Sequence, residues 1–381
     1  MNTNLSDTLR SIAGFSLFIL ITLLLPAGRT QAQILKPGFD IDEYIELLKL
    51  TSKNSDLEFG RDMPMPDHFV LQYRSAAMGL DNAWELWINT DSSIAAISLR
   101  GSTGNTESWL ANFYSAMVPA TGYLVLSPAD TFHYQLAEHA QAAVHTGWLL
   151  GMAYLSKEIV PRIDSCYTQG IRNFYITGHS QGGAIGYLLT SYVYHLQSNG
   201  QLPADIRFKT YCSAGPKPGN LHFAYAYETL TQEGWSYNIV NSADWVPEMP
   251  FSVQTIHDLN EVNPFQNARG MIRKQKFPKR LAFRIMYNRL TRPAEKAQRN
   301  YQKYLGTVMS GQIRKHLHEF SPPVYCSSND YVRTGASVIL NGDTEYIKQF
   351  PADKQKIMNQ HSFYAYLFLA RQLKTVKEEK K

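Results

Sequence analysis

A serine, an aspartate and a histidine occur along this chain in an order that suits nucleophilic catalysis by a hydroxyl. Ser180 lies in the run Gly178-His-Ser-Gln-Gly182, after a strand pattern at 173–177 and before a helical pattern at 183–197. A sharp strand–turn–helix of this kind projects a serine hydroxyl from the top of a sheet, at the positive end of a helix dipole. A hydroxyl is a poor nucleophile until a base takes its proton, so this chemistry needs a base and an orienting carboxylate.

Asp244 and His361 are the candidates for these two roles. Asp244 follows a strand pattern at 237–241, in a loop that two prolines stiffen. His361 lies at the start of the last helical pattern, 360–374. Since the carboxyl ends of parallel strands form the edge where such sheets place their sites, we predict that Asp244 and His361 meet Ser180 there.

Other residues compete for these roles. Glu248 is a rival carboxylate, and His316 and His318 are rival bases. The His-x-His spacing also suits metal binding, but no third ligand at a suitable spacing accompanies the pair. We therefore expect neither a metal nor a cofactor.

Negative charge that develops on a substrate oxygen needs hydrogen-bond donors. One predicted donor is the backbone N–H of Gln181, the residue after the candidate nucleophile. The second is Ser102, in the run Arg100-Gly101-Ser102 that follows an early strand pattern. Ser102 could supply both a backbone N–H and a hydroxyl, and Gly101 permits a close approach.

The remaining patterns alternate strands with helices, which is typical of a mostly parallel α/β sheet flanked by helices. Further predicted strands are 83–89 and 93–100, paired as a hairpin, then 207–212 and 332–340. Further predicted helices are 38–52, 107–117 and 135–161. A chain of 381 residues with 44% hydrophobic content can bury one large core, and we expect a single domain at 33–381.

The first 32 residues have the features of a secretory leader. The apolar run Ile12–Leu25 is short for a membrane span, and small residues at Thr30 and Ala32 suit cleavage after Ala32. This predicts a secreted or periplasmic protein without a transmembrane helix in the mature chain. An uncleaved N-terminal anchor is the alternative.

Two further features of the sequence can be interpreted in more than one way. Of the three cysteines, Cys212 lies in an apolar strand pattern, and Cys166 and Cys326 could pair. The basic segment, residues 261–320, holds fourteen Lys and Arg against three Glu, whereas the whole chain has a net charge of +5. Such a segment is either a solvated helical face or a surface that attracts anionic lipid or polysaccharide. No recognised motif supports nucleic-acid binding.

These motifs together resemble the fungal lipase-like, class 3 lipase family. The resemblance rests on five runs and covers roughly residues 80–250 and 330–370: Ile97–Ser102, Val144–Trp148, Gly178–Gly183, Asp244 with Val246 and Pro247, and His361. It implies an α/β-hydrolase fold, hydrolysis of carboxylic esters and a short helical lid after the Arg-Gly-Ser motif. It also implies that Ser180 is the nucleophile, Asp244 the acid, His361 the base, and Ser102 and Gln181 the oxyanion positions.

This chain departs from the family pattern at several places. Gln181 stands where the family usually has Leu, and Ser108 stands where an acidic residue is often found. The interval from Asp244 to His361 is long for the family, and a basic helical insertion, 261–320, fills it. Within hydrolases, a carbohydrate-directed esterase of feruloyl or acetyl type, or a phospholipase, is the alternative to a triacylglycerol lipase. Outside enzymes, the alternative is a lipid- or glycan-binding module.

Overall fold

Alternation of side chains along the central strands determines how this fold buries its sheet. In the strand Ile94–Leu99, residues Ala95, Ile97 and Leu99 enter one hydrophobic cluster, while Ile94 and Ala96 enter a second. Since successive strand residues point to opposite faces, the sheet is covered on both sides. The computed structural model describes residues 34–55, 60 and 62–379.

The helices and strands have the following bounds. The strands are β1 Phe69–Arg74, β2 Trp84–Asn89, β3 Ile94–Leu99, β4 Met117–Pro119, β5 Thr121–Ser127, β6 Asp130–Gln135, β7 Ala143–His145, β8 Asn173–His179, β9 Arg207–Ser213, β10 Gly219–Asn220, β11 Ser236–Asn241, β12 Tyr331–Val332 and β13 Ala336–Leu340. The α-helices are α1 Ile41–Ser52, α2 Thr106–Phe113, α3 Thr146–Thr168, α4 Gln181–Ser198, α5 Leu221–Leu230, α6 Ala268–Arg273, α7 Lys279–Gln302, α8 Met309–Ile313, α9 Thr344–Gln349 and α10 Phe363–Glu379. Short 3₁₀ turns span Val246–Glu248, Ile256–Asp258 and Asn359–His361, and a π-helical turn spans Lys303–Val308.

The main sheet has seven strands in the order β1-β2-β3-β8-β9-β11-β13. Strand β2 is antiparallel to both of its neighbours, β1 and β3, and the last five strands, from β3 to β13, are parallel. Helices α3 and α4 pack together against one face, and α1 and α10 pack together against the other. The mostly parallel sheet with flanking helices confirms the predicted α/β-hydrolase fold. Its parallel strands end along a common edge, above which the candidate site lies.

Two predicted elements are wrong in part. Residues 135–145 are not helical: β6 ends at Gln135, a turn follows, and β7 pairs with β4 and β10 in a second, four-stranded sheet. The predicted strand 332–340 is broken at Gly335, whose φ of +84° turns the chain. Its two halves, β12 and β13, lie in different sheets.

The predicted helix 107–117 ends four residues early, at Phe113. Within the predicted stretch, Trp109 and Phe113 have exposed side chains, whereas Tyr114 and Met117 are fully buried. All three cysteines are free, so Cys166 and Cys326 do not pair.

The predicted leader, residues 1–32, lies outside the described residues. Among the helices that the structure does describe, none is long and apolar enough to cross a membrane. The basic segment contains α6, α7, the π-helical turn and α8, so its predicted helical character agrees with these elements.

Two histidines in the core are held neutral by burial. His145 caps the start of α3, where its Nδ1 accepts the Trp148 N–H at 3.3 Å. His179 ends β8, and its Nε2 lies 2.8 Å from the carbonyl oxygen of His361. Burial lowers the pKa of each imidazole from 6.5 to about 3. Both rings are therefore neutral well below the pH at which an exposed histidine takes up a proton.

We expect acid to destabilise the protein well above the range where carboxylates titrate. Between pH 6.5 and pH 3 the unfolded chain binds protons at His145 and His179 that the folded chain does not, so the free energy of unfolding falls as pH falls. From pH 6 to pH 5 the two residues together should cost about 2 kcal/mol. Urea denaturation at the two pH values measures this loss. Replacing the exposed His133 with Gln should leave it unchanged, and equal unfolding free energies at both pH values would contradict the prediction.

Candidate active site

Ser180 lies in a sharp turn between the last residue of β8 and the first residue of α4. Its φ of 60° and ψ of −130° are outside the regions that non-glycine residues favour, which is the strained conformation of a nucleophile elbow. The Ser180 N–H donates to the carbonyl oxygen of Ser213 at 3.0 Å, which anchors the turn to the end of β9. The sequence thus folds locally as predicted.

Two glycines allow this turn to close. A Cβ at Gly178 would lie 2.3 Å from the carbonyl carbon of Gly182, and a Cβ at Gly182 would lie 2.1 Å from the carbonyl oxygen of Leu99. Both distances are far below van der Waals contact, so any side chain would push α4 away from β3. The close approach brings the turn at Ser180 next to the loop that follows β3.

Asp244 and His361 form a buried pair although 117 residues separate them in sequence. The His361 Nδ1 lies 2.7 Å from Asp244 Oδ2, and both side chains are buried. The Tyr366 hydroxyl, on α10, donates to the same oxygen at 2.8 Å. Asp244 Oδ1 accepts the N–H of Val246 at 3.0 Å. Both carboxylate oxygens therefore have donors, as a buried charge requires.

These donors decide the charge of Asp244. Burial alone would raise the pKa of its carboxyl, but the neighbouring His361, with Val246 and Tyr366, holds the pKa below its usual value. The carboxylate is therefore ionised at neutral pH. An ionised partner at Nδ1 fixes the His361 tautomer with the proton on Nδ1 and the lone pair on Nε2.

The other ring nitrogen of His361 is free. Its Nε2 is buried and has no hydrogen-bond partner among the described residues. His361 and Ser180 line the same cavity, with a volume of about 600 Å³. An imidazole whose Nδ1 is held by a carboxylate keeps a lone pair on Nε2 and can accept a proton there.

His179 is a site residue that the sequence reasoning did not identify. Its Nε2 contacts the His361 carbonyl oxygen at 2.8 Å and its Nδ1 contacts Ser213 Oγ at 3.1 Å. Its ring lies 4.7 Å from the His361 ring, centroid to centroid. His179 thus links the elbow to the segment that carries His361. Its position inside the elbow motif was visible in the sequence, but its partner was not.

The two predicted oxyanion residues line the same cavity. Ser102 lies in the loop after β3, and its Oγ accepts a hydrogen bond from Asn112 Nδ2 at 2.9 Å. Because that oxygen acts as the acceptor, its own proton remains available to a substrate. Gln181 is the first residue of α4, where backbone N–H groups have no partner inside the helix. Its side chain is buried and is directed toward α2.

The wall of the cavity is largely apolar. Trp109, Phe113, Trp245 and Phe251 line it with partly exposed side chains. Deeper apolar lining comes from Trp148, Val246, Met249, Pro250, Leu305 and Phe363. Such a lining favours a hydrophobic substrate group beside Ser180.

The rival residues lie elsewhere. Glu248 is exposed on the turn after Asp244, and His318 is exposed beyond α8. His316 Nδ1 contacts Glu107 Oε1 at 3.1 Å, on α2. None of the three is among the described residues that line the cavity. In the part of the chain that the structure describes, no group of three or more His, Cys, Asp or Glu could hold a metal ion.

Comparison with known proteins gives one family and several similar structures. Two solved structures are similar: the Lip2 lipase of Yarrowia lipolytica, with 19% identity over 57% of this chain and 78% of that chain, and the Rhizomucor miehei lipase propeptide complex, with 18% identity over 58% and 68%. Both have a TM-score of 0.41.

A curated relative and a family model match parts of the sequence. Lipase ZK262.3 of Caenorhabditis elegans is 33% identical over 87 residues, which cover 22% of this chain and 23% of the relative. The chain therefore matches about a quarter of that relative's length. Residues 96–254, from β3 through Asp244, match the model of the family described as Lipase (class 3). The resemblance inferred from the sequence is thereby confirmed over this part of the chain.

Proposed function

We propose that this protein hydrolyses acyl esters through Ser180, His361 and Asp244. The observation that carries the proposal is the state of His361: its Nδ1 is held by a buried carboxylate at 2.7 Å, and its buried Nε2 has no partner among the described residues. His361 and Ser180 line one cavity, where a substrate carbonyl could reach both residues. This is the division of roles that a serine nucleophile, a general base and an orienting carboxylate require.

The reaction then proceeds in two half-reactions. Ser180 Oγ attacks the acyl carbon while His361 Nε2 takes the hydroxyl proton, and the carbonyl electron pair moves onto oxygen. When the tetrahedral intermediate collapses, His361 gives that proton to the leaving alcohol and the acyl group stays on Ser180. Water repeats the sequence, releasing the acid and restoring the hydroxyl. The Asp244 carboxylate keeps its charge and stabilises the imidazolium in both halves.

The backbone N–H groups of Ser102 and Gln181 are the proposed donors to the oxyanion. The Ser102 hydroxyl is a third, because Asn112 already donates to its oxygen and leaves its proton free. Removing one such donor typically costs about 3 kcal/mol of transition-state stabilisation. The position of Gln181 at the start of α4 adds the helix dipole to this stabilisation.

The apolar wall supports a lipid acyl ester as the substrate, as in triacylglycerol lipases and carboxylesterases. A feruloyl-type esterase remains the second candidate, because Trp109, Trp245 and Phe251 at the wall could also contact an aromatic acid. A phospholipase is the third. The predicted leader supports export, and we propose that the mature chain is secreted or periplasmic and acts in lipid degradation.

The catalytic roles can be tested by labelling with a serine-directed phosphonate and by kinetics with a soluble p-nitrophenyl ester. Ser180→Ala should abolish both labelling and turnover, and His361→Ala should lower kcat by at least a thousandfold. The double variant should be no worse than the worse single variant, because the two residues act as a unit. Ser198→Ala and His133→Ala, at exposed positions, should behave as wild type. More than a tenth of the wild-type kcat in either catalytic variant would refute the assignment.

A series of p-nitrophenyl esters from acetate to palmitate, compared with feruloyl esters, tests the substrate. We expect kcat/KM to rise with acyl length until the 600 Å³ cavity is filled, because each buried methylene adds about 0.8 kcal/mol. A maximum at acetate, with faster turnover of feruloyl esters, would instead favour the carbohydrate-directed esterase.

We further propose that the basic segment contacts anionic lipid peripherally. On α7, Phe283, Met286 and Leu290 are 42%, 54% and 72% exposed, and their spacing of three and four residues places them on one side of the helix. Basic side chains of the same helix flank this stripe. Exposed apolar residues beside Lys and Arg on a helix are typical of binding in the membrane interface. At its C-terminal end, α7 leads to Leu305, which lines the cavity.

Vesicle co-sedimentation at varied salt tests this contact. Replacing Lys274, Lys276, Lys279 and Arg280 with Gln should weaken binding to anionic vesicles, by about 1 kcal/mol for each side chain close to the surface. Turnover of a soluble ester should be unchanged. As a control, replacing the exposed Lys36, Lys348, Lys354 and Lys356 with Gln removes the same charge outside the basic segment. This variant should leave vesicle binding unchanged. Binding that is equal for neutral and anionic vesicles, or insensitive to salt, would leave only a solvated helical face.

A further inference from the structure

The side chain of Gln181 connects the nucleophile elbow to α2. Gln181 is 1% exposed, and its Nε2 donates to the Ser108 carbonyl oxygen at 3.0 Å and to Asn112 Oδ1 at 2.9 Å. Both acceptors belong to α2, the helix whose Trp109 and Phe113 line the cavity. The resemblance predicts Leu at position 181 and a moving lid at α2. A leucine could make neither hydrogen bond.

Asn112 extends this connection to α3 and to Ser102. Its Oδ1 also accepts the indole N–H of Trp148 at 3.0 Å, and its Nδ2 donates to Ser102 Oγ at 2.9 Å. Since an indole nitrogen can only donate, Trp148 fixes which end of the Asn112 amide is oxygen. The same residue's carbonyl oxygen lies 3.2 Å from His145 Nε2. One side chain therefore joins the elbow, the Ser102 loop and the start of α3.

The backbones of α2 and α3 are also in direct contact. A Cβ at Gly147 would lie 2.0 Å from the carbonyl oxygen of Ala111, so no side chain could separate the two helices there. The Gly147 N–H donates to the carbonyl oxygen of Tyr114 at 2.9 Å. At the other end of α2, the Trp109 indole donates to the Thr103 carbonyl oxygen at 3.1 Å. A hinged helix would have to break all of these contacts to move.

We propose that α2 is a fixed wall of the cavity and not a moving lid, and that Gln181 is the positioning residue that fixes it to the elbow. The inference rests on the proposed function, because it concerns how the same site receives its substrate. The enzyme then needs no lipid surface to open the cavity, and the acyl chain meets Trp109 and Phe113 in their final positions. Gln181 thereby keeps Asn112, and through it the Ser102 hydroxyl, in register with Ser180.

Hydrogen exchange of the α2 amides, 106–113, tests whether α2 is a fixed wall, independently of catalytic activity. We expect strong protection in the wild type and exchange at least tenfold faster in Gln181→Leu, because two hydrogen bonds to α2 are lost. Gln197→Leu is the matched control. It lies on the same helix, and its Nε2 also donates to two carbonyl oxygens, those of Pro203 and Ile206 at 2.9 Å each. That variant should leave α2 exchange unchanged.

Kinetics provide the second readout. The wild type should show no upward break in rate as a short-chain ester passes its solubility limit. In Gln181→Leu we expect a severalfold rise in the KM for a long-chain ester, much larger than any rise in the KM for acetate, since α2 lines the cavity that would hold the acyl chain. A merely structural role would instead move both KM values together.

Three results would overturn the proposal: unprotected α2 amides in the wild type, α2 exchange in Gln181→Leu equal to wild type, or a wild-type rate that breaks upward at the solubility limit. Failure of the phosphonate to label Ser180 would instead overturn the proposed function. It would leave the exchange result standing, so the two failures are distinguishable.

Discussion

The first turn of α4 lies so close to β3 that no Cβ fits between Gly182 and the Leu99 carbonyl oxygen, and the rest of the site depends on this approach. It brings the turn at Ser180 beside the loop that carries Ser102, one of the two predicted oxyanion residues. It also forces Ser180 into a positive φ that only a well-anchored turn can maintain. The anchors are backbone hydrogen bonds to β9 and the packing of α4 against α3, so the sheet and its helices together support one strained residue.

A second constraint is the free-energy cost of burying a carboxylate. Asp244 is buried, yet its two oxygens receive hydrogen bonds from His361, Tyr366 and Val246. These donors come from its own loop, from the turn Asn359–His361 and from α10. The last helix is therefore part of the site, because its Tyr366 hydroxyl donates to Asp244. His179 in turn contacts the His361 carbonyl oxygen. A buried carboxylate is stable only when hydrogen-bond donors reach its oxygens, and here neighbouring elements supply them.

The sequence predicts contacts between residues that are close along the chain better than contacts between residues that are far apart along it. The strand and helix at Ser180 follow from local pattern, as does the position of Asp244 just past the end of β11. The contacts of His179 with His361 and of Gln181 with α2 join residues 182 and 73 positions apart, and no local pattern encodes them. The error at 135–145 has a similar cause. Strands as short as β7 and β10 show no periodicity of their own, and only pairing with distant segments makes them strands.

The basic segment is largely exposed, but part of it also supports the wall of the cavity. Its helix α7 is largely exposed, yet Tyr301 near its C-terminal end and Leu305 in the π-helical turn that follows hold the chain that leaves α2. The Ala116 N–H donates to the Leu305 carbonyl oxygen at 3.1 Å, and Ser115 Oγ contacts the Tyr301 hydroxyl at 3.1 Å. Tyr301 and Leu305 also line the cavity. The two ends of α7 therefore have different surroundings. Its N-terminal half is free to carry charge and apolar side chains outward, whereas its C-terminal end is fixed to the wall beside Ser180. The exposed apolar stripe and Tyr301 at the cavity wall thus belong to one continuous helix.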